Sequence, residues 1–442
     1  ALEVLNLVIQ PLFSDDPKLA SPSENLFLLY ARALAQVNPT EPQMQRVLSW
    51  LEKNSKNPNI QTGAMAVRAR IQRWLGHYPN YRKLLADAWK GQVEPREPKL
   101  ASDIARQLGD SHSMAGEIEV AKKWYERGRE LAERGDSDLL WAQSEVGRAG
   151  ILYASGQLQE AEFSATRALE IFDGSEHLSG MSLAIATWAN ALRQQGRLSQ
   201  ALEVLAAAAP MLRASESPSF YLRILIAMAR CEMALGRLGR AQECLDELDA
   251  MVRPGEHLHL RLHVALVRSA VLLLSGQGRR SLNILPEVVQ KATGAGLFIE
   301  AEVGRAYLAE ALWNRQREKA IQYFRQSRER LIEIGHVPAL LENCIGHARV
   351  GGMDVRPDQV FSVVKEVLSQ QPAELARMEW AVADALYMER HGRTAGVSWT
   401  NAKTILDHIT KQLNEIDRAS LQLHPWSRLV REGVVAAQTV SQ

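Results

Sequence analysis

The chain has 442 residues, 46% of them hydrophobic and 23% charged, which excludes a wholly disordered protein. Its 52 Lys and Arg stand against 51 Asp and Glu, so it lacks the basic excess that general nucleic-acid or membrane-surface binding requires. The length exceeds that of one ordinary compact core, which leaves several domains or a solenoid.

In chain order, Ala1 to Phe13 reads as a helix, followed by the polar link SDDPKLASPS, with Ser21 to Ser23 placed to cap the next helix. Helix pairs are predicted at about 24–38 with 41–54 and 58–76 with 79–91. GQVEPREPKL, with two prolines, is the longest obvious linker. Further pairs are predicted at 99–134, 138–173, 178–214, 218–252, 257–293 and 297–334. Pro210 falls late in a second helix, where it should kink or loosen the last turn. Toward the C-terminus the pattern slips. NRQREKA places Gln316 or its neighbour where a glycine turn is due, and His347 to Gln359 reads as a looser joint with Gly351, Gly352 and Pro357. Another pair is predicted at about 372–391 and 398–417, and LHPWSRLVREGV as a last helix that covers the exposed apolar end. The final AAQTVSQ reads as loose, and VVAAQTVSQ holds the one weak β pattern. Three segments result: N-terminal helical repeats over 1–97, regular repeats over 98–335, and divergent repeats with a capping helix over 336–442.

The strongest signal is a fixed period. Glycines fall at Gly76, Gly116, Gly156, Gly196, Gly236 and Gly276, each 40 residues after the last. Seven residues before them, and continuing one period on, come Ala69, Gly109, Ala149, Ala189, Ala229, Ser269 and Ala309. Five residues after them come Tyr81, Ala121, Ala161, Ala201, Ala241 and Ser281. Two antiparallel helices approach closely only where the crossing side chains are small. The glycine marks where the first helix ends and the chain reverses, commonly at positive φ. Segments such as YASGQLQEAEFSATRALEIF, LRQQGRLSQALEVL and MALGRLGRAQECLDEL carry this pattern in full. In them the chain resembles the tetratricopeptide repeat. The 40-residue period resembles the tetratricopeptide-like sensor regions of large bacterial signalling proteins of the maltose-regulon activator class. The resemblance is strongest from about Leu100 to Ile334. It implies an all-α fold, a right-handed superhelical solenoid of about ten antiparallel helix pairs.

Chemistry is sparse by comparison. Cys231, Cys244 and Cys344 form no CxxC pair, and their odd number speaks against a disulfide framework. A reducing, cytoplasmic setting is the simpler expectation. No 18-residue apolar run, signal peptide, GxxxxGK[ST] loop or GxSxG elbow is present. His257, His259 and His263 cluster, but Leu260 follows His259, so no acidic general base stands in the HExxH position. They read as solvated or packed histidines, and neither a metal nor a cofactor nor a catalytic residue is assigned. The resemblance does imply a site: the first helix of each pair lines a concave groove. Positions 13, 10, 6, 3 and 2 before the glycine then bring Arg70, Arg73, Arg106, Asn190, Arg193, Arg223, Arg230, Glu310 and Trp313 into it. Arginine forks bind carboxylates and phosphates, so an acidic or C-terminal segment of a protein partner, or an anionic small ligand, is expected there, with neither nucleic acid nor membrane insertion.

Two functions fit. One is a non-catalytic interaction scaffold that holds a partner protein or peptide in the groove. The alternative is the ligand- or partner-sensing region of a larger signal-transduction protein. The start at Ala1, with no initiator methionine, fits a processed protein or a piece of a longer one and leans toward that alternative.

Overall fold

A computed structural model describes residues 24–37, 42–90, 97–215, 218–251, 258–350 and 373–440. Every regular element among them is an α-helix. Helices pair as Glu24–Val37 (α1) with Pro42–Asn54 (α2), Pro58–Trp74 (α3) with Tyr78–Lys90 (α4), Pro98–Met114 (α5) with Ile118–Arg134 (α6), and Asp138–Ala154 (α7) with Leu158–Gly174 (α8). Next come Leu178–Gln194 (α9) with Leu198–Arg213 (α10), and Pro218–Ala234 (α11) with Leu238–Met251 (α12). Leu258–Leu274 (α13) is followed by Gly278–Ser281 (α14) and Leu285–Ala295 (α15), and Phe298–Leu312 (α16) by Arg317–Ile334 (α17). Val337–Arg349 (α18), Glu374–Arg390 (α19), Gly396–Lys411 (α20), Glu415–Leu423 (α21) and Pro425–Val440 (α22) complete the order. None is long and apolar enough to cross a membrane.

Each pair is built on the small-residue crossing. Ala69, Ala149, Ala189, Ala229, Ser269 and Ala309, seven before the turn position, are wholly buried, and so are Tyr81, Ala121, Ala161, Ala201, Ala241 and Ser281, five after it. In α8 the buried residues Leu158, Ala161, Ala165, Ala168 and Phe172 recur three or four apart, which gives one apolar stripe along the helix. Where Gly109 crosses α6, a Cβ would come within 2.7 Å of the Tyr125 ring, so no larger residue fits.

The turns follow from the same economy. All six period glycines lie at φ between 72° and 80°. At Gly156 the amide donates to the Tyr153 carbonyl and the next amide, Gln157, donates back to Leu152 at 2.8 Å. This satisfies carbonyls that the helix end would otherwise strand. A second set of left-handed positions lies half a period away, at Asp136 (φ 51°), Glu176 (φ 52°), Gly296 and Gly335. The first two are not glycine, so the sequence does not announce these turns.

The described chain falls into two compact units. One comprises residues up to 112 with 120–144 and 258; the other comprises 113–119, 145–251 and the described residues from 259 on. In the first, Phe27, Tyr30, Leu48, Leu51, Ile60 and Ile71 form the core of α1 to α3. In the second, the C-terminal helices settle on earlier glycine turns. Asp417 of α21 is 5% exposed. It accepts from the Ser199 hydroxyl at 2.5 Å and from the Arg237 guanidinium. Gly196 faces Ile409 and Gly236 faces His424.

Several local expectations change. The second helix of the pair predicted at 257–293 is two pieces, α14 and α15, parted by residues 282–284. Pro286 causes the break: it has no N–H to offer the Leu282 carbonyl and its ring crowds that oxygen. Pro210, by contrast, stays inside α10, which runs on to Arg213. At the slipped turn α16 stops at Leu312 and α17 starts at Arg317, with Gln316 as its cap and no glycine. The last helix reaches Val440, so the segment read as loose or weakly β is largely helical. The Ala1–Phe13 helix, the Ser21 to Ser23 cap of the helix after it, His257 and the Gly351 to Gln359 part of the joint lie outside the described residues.

Gly276→Ala should cost about 1–2 kcal/mol, the penalty of a left-handed alanine in open space. Gly196→Ala should cost more, because its new Cβ would also sit 2.9 Å from Ile409; urea denaturation midpoints of the two variants compare the terms. Glu176→Gly should raise the midpoint, by up to about 1 kcal/mol, since it relieves a left-handed glutamate.

Candidate functional site

Of the nine groove residues predicted from the sequence, two sets of three come together and the other three lie apart. Arg70, Arg73 and Arg106 belong to the first unit, where they join neighbouring first helices. Arg70 of α3 meets Asp103 of α5 at 2.5 Å, and Arg73 meets Asp110 at 2.6 Å. Arg106 bridges both aspartates, at 2.9 and 3.0 Å, and the Tyr125 hydroxyl donates to Asp110 at 2.8 Å. Burial raises the Asp110 pKa, but Arg73, Arg106 and the Tyr125 hydroxyl outweigh it and hold the group below the usual carboxylate range. These arginines already have carboxylate partners from the chain itself.

Arg193, Arg230 and Glu310 come together in the second unit. There α9, α11, α13, α16, α18 and α19 all turn side chains toward one partly open cavity of about 90 Å³, which His424 and Trp426 also line. That volume suits about three waters or one small polar group. The other candidates lie elsewhere. Asn190 donates its amide to the Ala186 carbonyl at 2.8 Å, and Arg223 donates to the Ser182 hydroxyl at 3.1 Å. Trp313 is 8% exposed; it packs on Phe324 and His347, with the Arg317 guanidinium over its ring.

The charges around the cavity are three arginines, Arg193, Arg230 and Arg349, and three glutamates, Glu310, Glu342 and Glu379. Arg193 donates to the Tyr153 hydroxyl at 3.2 Å, while its Nε has no partner. Burial works against its charge, but Tyr153 and the acids Glu342 and Glu379 keep it firmly protonated. Arg230 makes no hydrogen bond or ion pair with any described residue. Glu342 accepts from the Tyr307 hydroxyl at 2.8 Å. Glu310 lies 3.3 Å from Arg349, yet burial raises its pKa. Glu379 is pushed up to about 7, by burial first and by Glu342 as well. His424 accepts the Trp426 amide on Nδ1, and burial together with Arg349 drives its pKa down to about 4, so it is neutral. Near neutral pH Glu379 is thus only partly ionised, which weakens the negative side of the balance.

Sequence reasoning missed Tyr307, Glu342, Arg349 and Glu379, and with reason. Tyr307 falls between the counted positions, and Glu342, Arg349 and Glu379 lie past NRQREKA, where the 40-residue series of turn glycines has stopped. His424 and Trp426 come from capping helices that the repeat pattern does not describe. Burial pushes the Cys231 and Cys344 thiols up to about 12 and Cys244 to about 11, which keeps all three as thiols rather than nucleophilic thiolates.

The Glu379 environment sets a pH dependence. Its folded pKa lies above the unfolded value, so the fold binds this proton more tightly and loses stability as pH rises from about 4.5 through about 7. Glu379→Gln should therefore raise the melting temperature relative to the parent at pH 8 and leave it nearly unchanged at pH 5. His424, like His263 and His336, has a lowered pKa and contributes the opposite slope in both proteins, so the difference between variant and parent isolates the carboxyl.

Comparison with known proteins places this geometry. The fold is that of a Rap protein solved in complex with competence and sporulation factor, at TM-score 0.55 and 13% identity, over 79% of this chain and 100% of that one. It is equally that of NprR in complex with its cognate peptide NprX, at TM-score 0.55 and 11% identity, over 79% of this chain and 99% of that one. A signal transduction ATPase with numerous domains and a tetratricopeptide repeat sensor, from Pyrococcus horikoshii, aligns at TM-score 0.43 and 17% identity, over 84% of this chain and 52% of that one. No curated protein matches. The family model described as MalT-like TPR region matches residues 94–370, and the chain belongs to that family of tetratricopeptide-repeat regions.

Proposed function

We propose that this chain is a non-catalytic interaction module whose second unit receives a peptide segment by its carboxylate, with the terminal group held between Arg193 and Arg230. The observation that carries this reading is the pair of guanidinium groups on successive first helices, α9 and α11, with donor capacity left over in a confined space. A planar fork with free N–H groups matches a carboxylate, and the raised pKa of Glu379, about 7, lowers the opposing negative charge. The volume admits a terminal carboxylate with little else, so the rest of the segment would run outward along the first helices. The same fold holds a cognate peptide in NprR. The three free cysteines fit a reducing, cytoplasmic setting.

The match to the MalT-like TPR region favours a second reading, in which the chain is the sensing part of a larger signalling protein and carboxylate capture is the signal it receives. Both readings place the ligand in the same cavity.

Fluorescence anisotropy with labelled pools of short random peptides tests the proposal. Pools with a free C-terminus should bind at least about tenfold more tightly than the same pools amidated. The double substitution Arg193→Ala and Arg230→Ala should abolish that difference. Equal binding of free and amidated pools by the parent chain, or an undiminished preference in the double variant, would sink it.

A further inference from the structure

Away from that cavity, the second unit holds a cluster that no reading above uses. His259 and His263 lie one helical turn apart on α13, and Glu300 reaches them from α16, the first helix of the following pair. Both imidazole Nε2 atoms point at the same carboxylate oxygen, Glu300 Oε1, at 2.9 and 3.0 Å. The three ligand-type atoms all lie within 4.8 Å of one another. The rings meet edge to face at 4.5 Å.

Two features are odd for a purely structural contact. Glu300 is 5% exposed, and its second oxygen, Oε2, is buried without a hydrogen-bond partner. Such an orphan acceptor is costly unless something else occupies the site. The two histidines are more open, at 37% and 26% side-chain exposure, so an ion has a way in.

We infer that His259, His263 and Glu300 form a binding site for a divalent transition-metal ion of the zinc class. Two imidazole nitrogens and one carboxylate oxygen are the donor set such borderline ions prefer over calcium or magnesium, which want oxygen alone. Zinc at its ordinary bond lengths of about 2.0–2.2 Å holds tetrahedral ligands about 3.3 Å apart. The nitrogen-to-oxygen distances here are a few tenths of an ångström shorter, so an outward shift of that size makes room. The ion would take the place of the two N–H protons that now bridge to Glu300. Each neutral imidazole carries a single proton, which moves from Nε2 to Nδ1 by exchange with solvent, so Nε2 is freed for the ion with no net loss of a proton. The positive Arg230 acts on the cluster from α11 and opposes the ion; His336, whose Nδ1 caps α18 by accepting the Ala339 amide, is the further imidazole in its field. Three protein ligands leave a fourth position for water or for a donor from a partner. With no acid beside His259 in sequence, the site binds rather than hydrolyses. Since α13 and α16 supply the ligands, an ion would tie consecutive pairs together.

The test is calorimetric titration of the chelator-treated full chain with zinc chloride, with cobalt(II) as a spectroscopic stand-in. The parent should take one ion per chain at this site, raise its melting temperature with zinc, and give visible cobalt bands of a nitrogen–oxygen environment. Glu300→Gln, close to isosteric and able to keep an acceptor toward the histidines, should weaken zinc by about tenfold or more. His259→Ala, at the most exposed of the three positions, should do the same. His408→Ala, on α20, should leave binding as in the parent. Absence of saturable zinc binding by the parent, or unchanged binding in both cluster variants, would overturn the assignment. Because the readout is the metal itself, its failure leaves the carboxylate proposal standing, and the reverse holds as well.

Discussion

Everything in this structure depends on how closely two antiparallel helices can approach. A wholly buried Ala, Ser or Gly seven residues before each turn and a buried Ala or Ser five residues after most of them set that distance. The left-handed glycine lets the chain reverse within it. Once the crossing is fixed, the first helices of successive pairs line up side by side, and polar groups from separate repeats meet. The Arg70–Asp103 and Arg73–Asp110 pairs, the arginines and glutamates around the cavity, and the His259–His263–Glu300 cluster are all products of that alignment. The ion pairs of the first unit and the histidine–glutamate cluster join residues about one period apart, and the cavity gathers residues from several periods.

The cavity shows what the alignment does to charge. Three arginines and three glutamates face one space, which on paper is neutral. Burial treats the two kinds unequally: an arginine stays protonated almost anywhere, whereas a carboxyl can take up a proton and shed its charge. Glu379 near 7 and a raised Glu310 are the outcome. The first unit, built on the same plan, reaches the opposite balance. There Asp110 is held ionised by two arginines and a tyrosine hydroxyl, and the polar groups satisfy one another.

Much of the fold was legible in the sequence because its cause is local and repeated. The period of 40, the small residues and the glycines name the helix pairs to within a few residues, as α3, α8 and α9 show. What the sequence concealed has particular reasons. The break at 282–284 depends on one proline that lies close to a helix start, while Pro210 in a comparable helix does no such damage. The Asp136 and Glu176 turns use residues that give no hint of positive φ. The site was legible only in its regular part: Arg193, Arg230 and Glu310 follow from counting, but Glu342 and Glu379 lie past the slipped turn. Glu300 could not be tied to the histidines without knowing how far α16 slides along α13.

The contact of α21 with the middle of the chain gives the molecule a different kind of cooperativity. An ideal repeat array behaves like a row of dominoes, each responding only to the next. Here Asp417 is clasped by Ser199 and Arg237, some two hundred positions earlier. A contact across so long a stretch of chain carries a large loop-closure entropy, which slows its formation in folding. Once made, it couples α21 directly to the turns after α9 and α11 within the second unit. Strain or ordering introduced at α9 can then travel to the C-terminal helices by the short route as well as the long one.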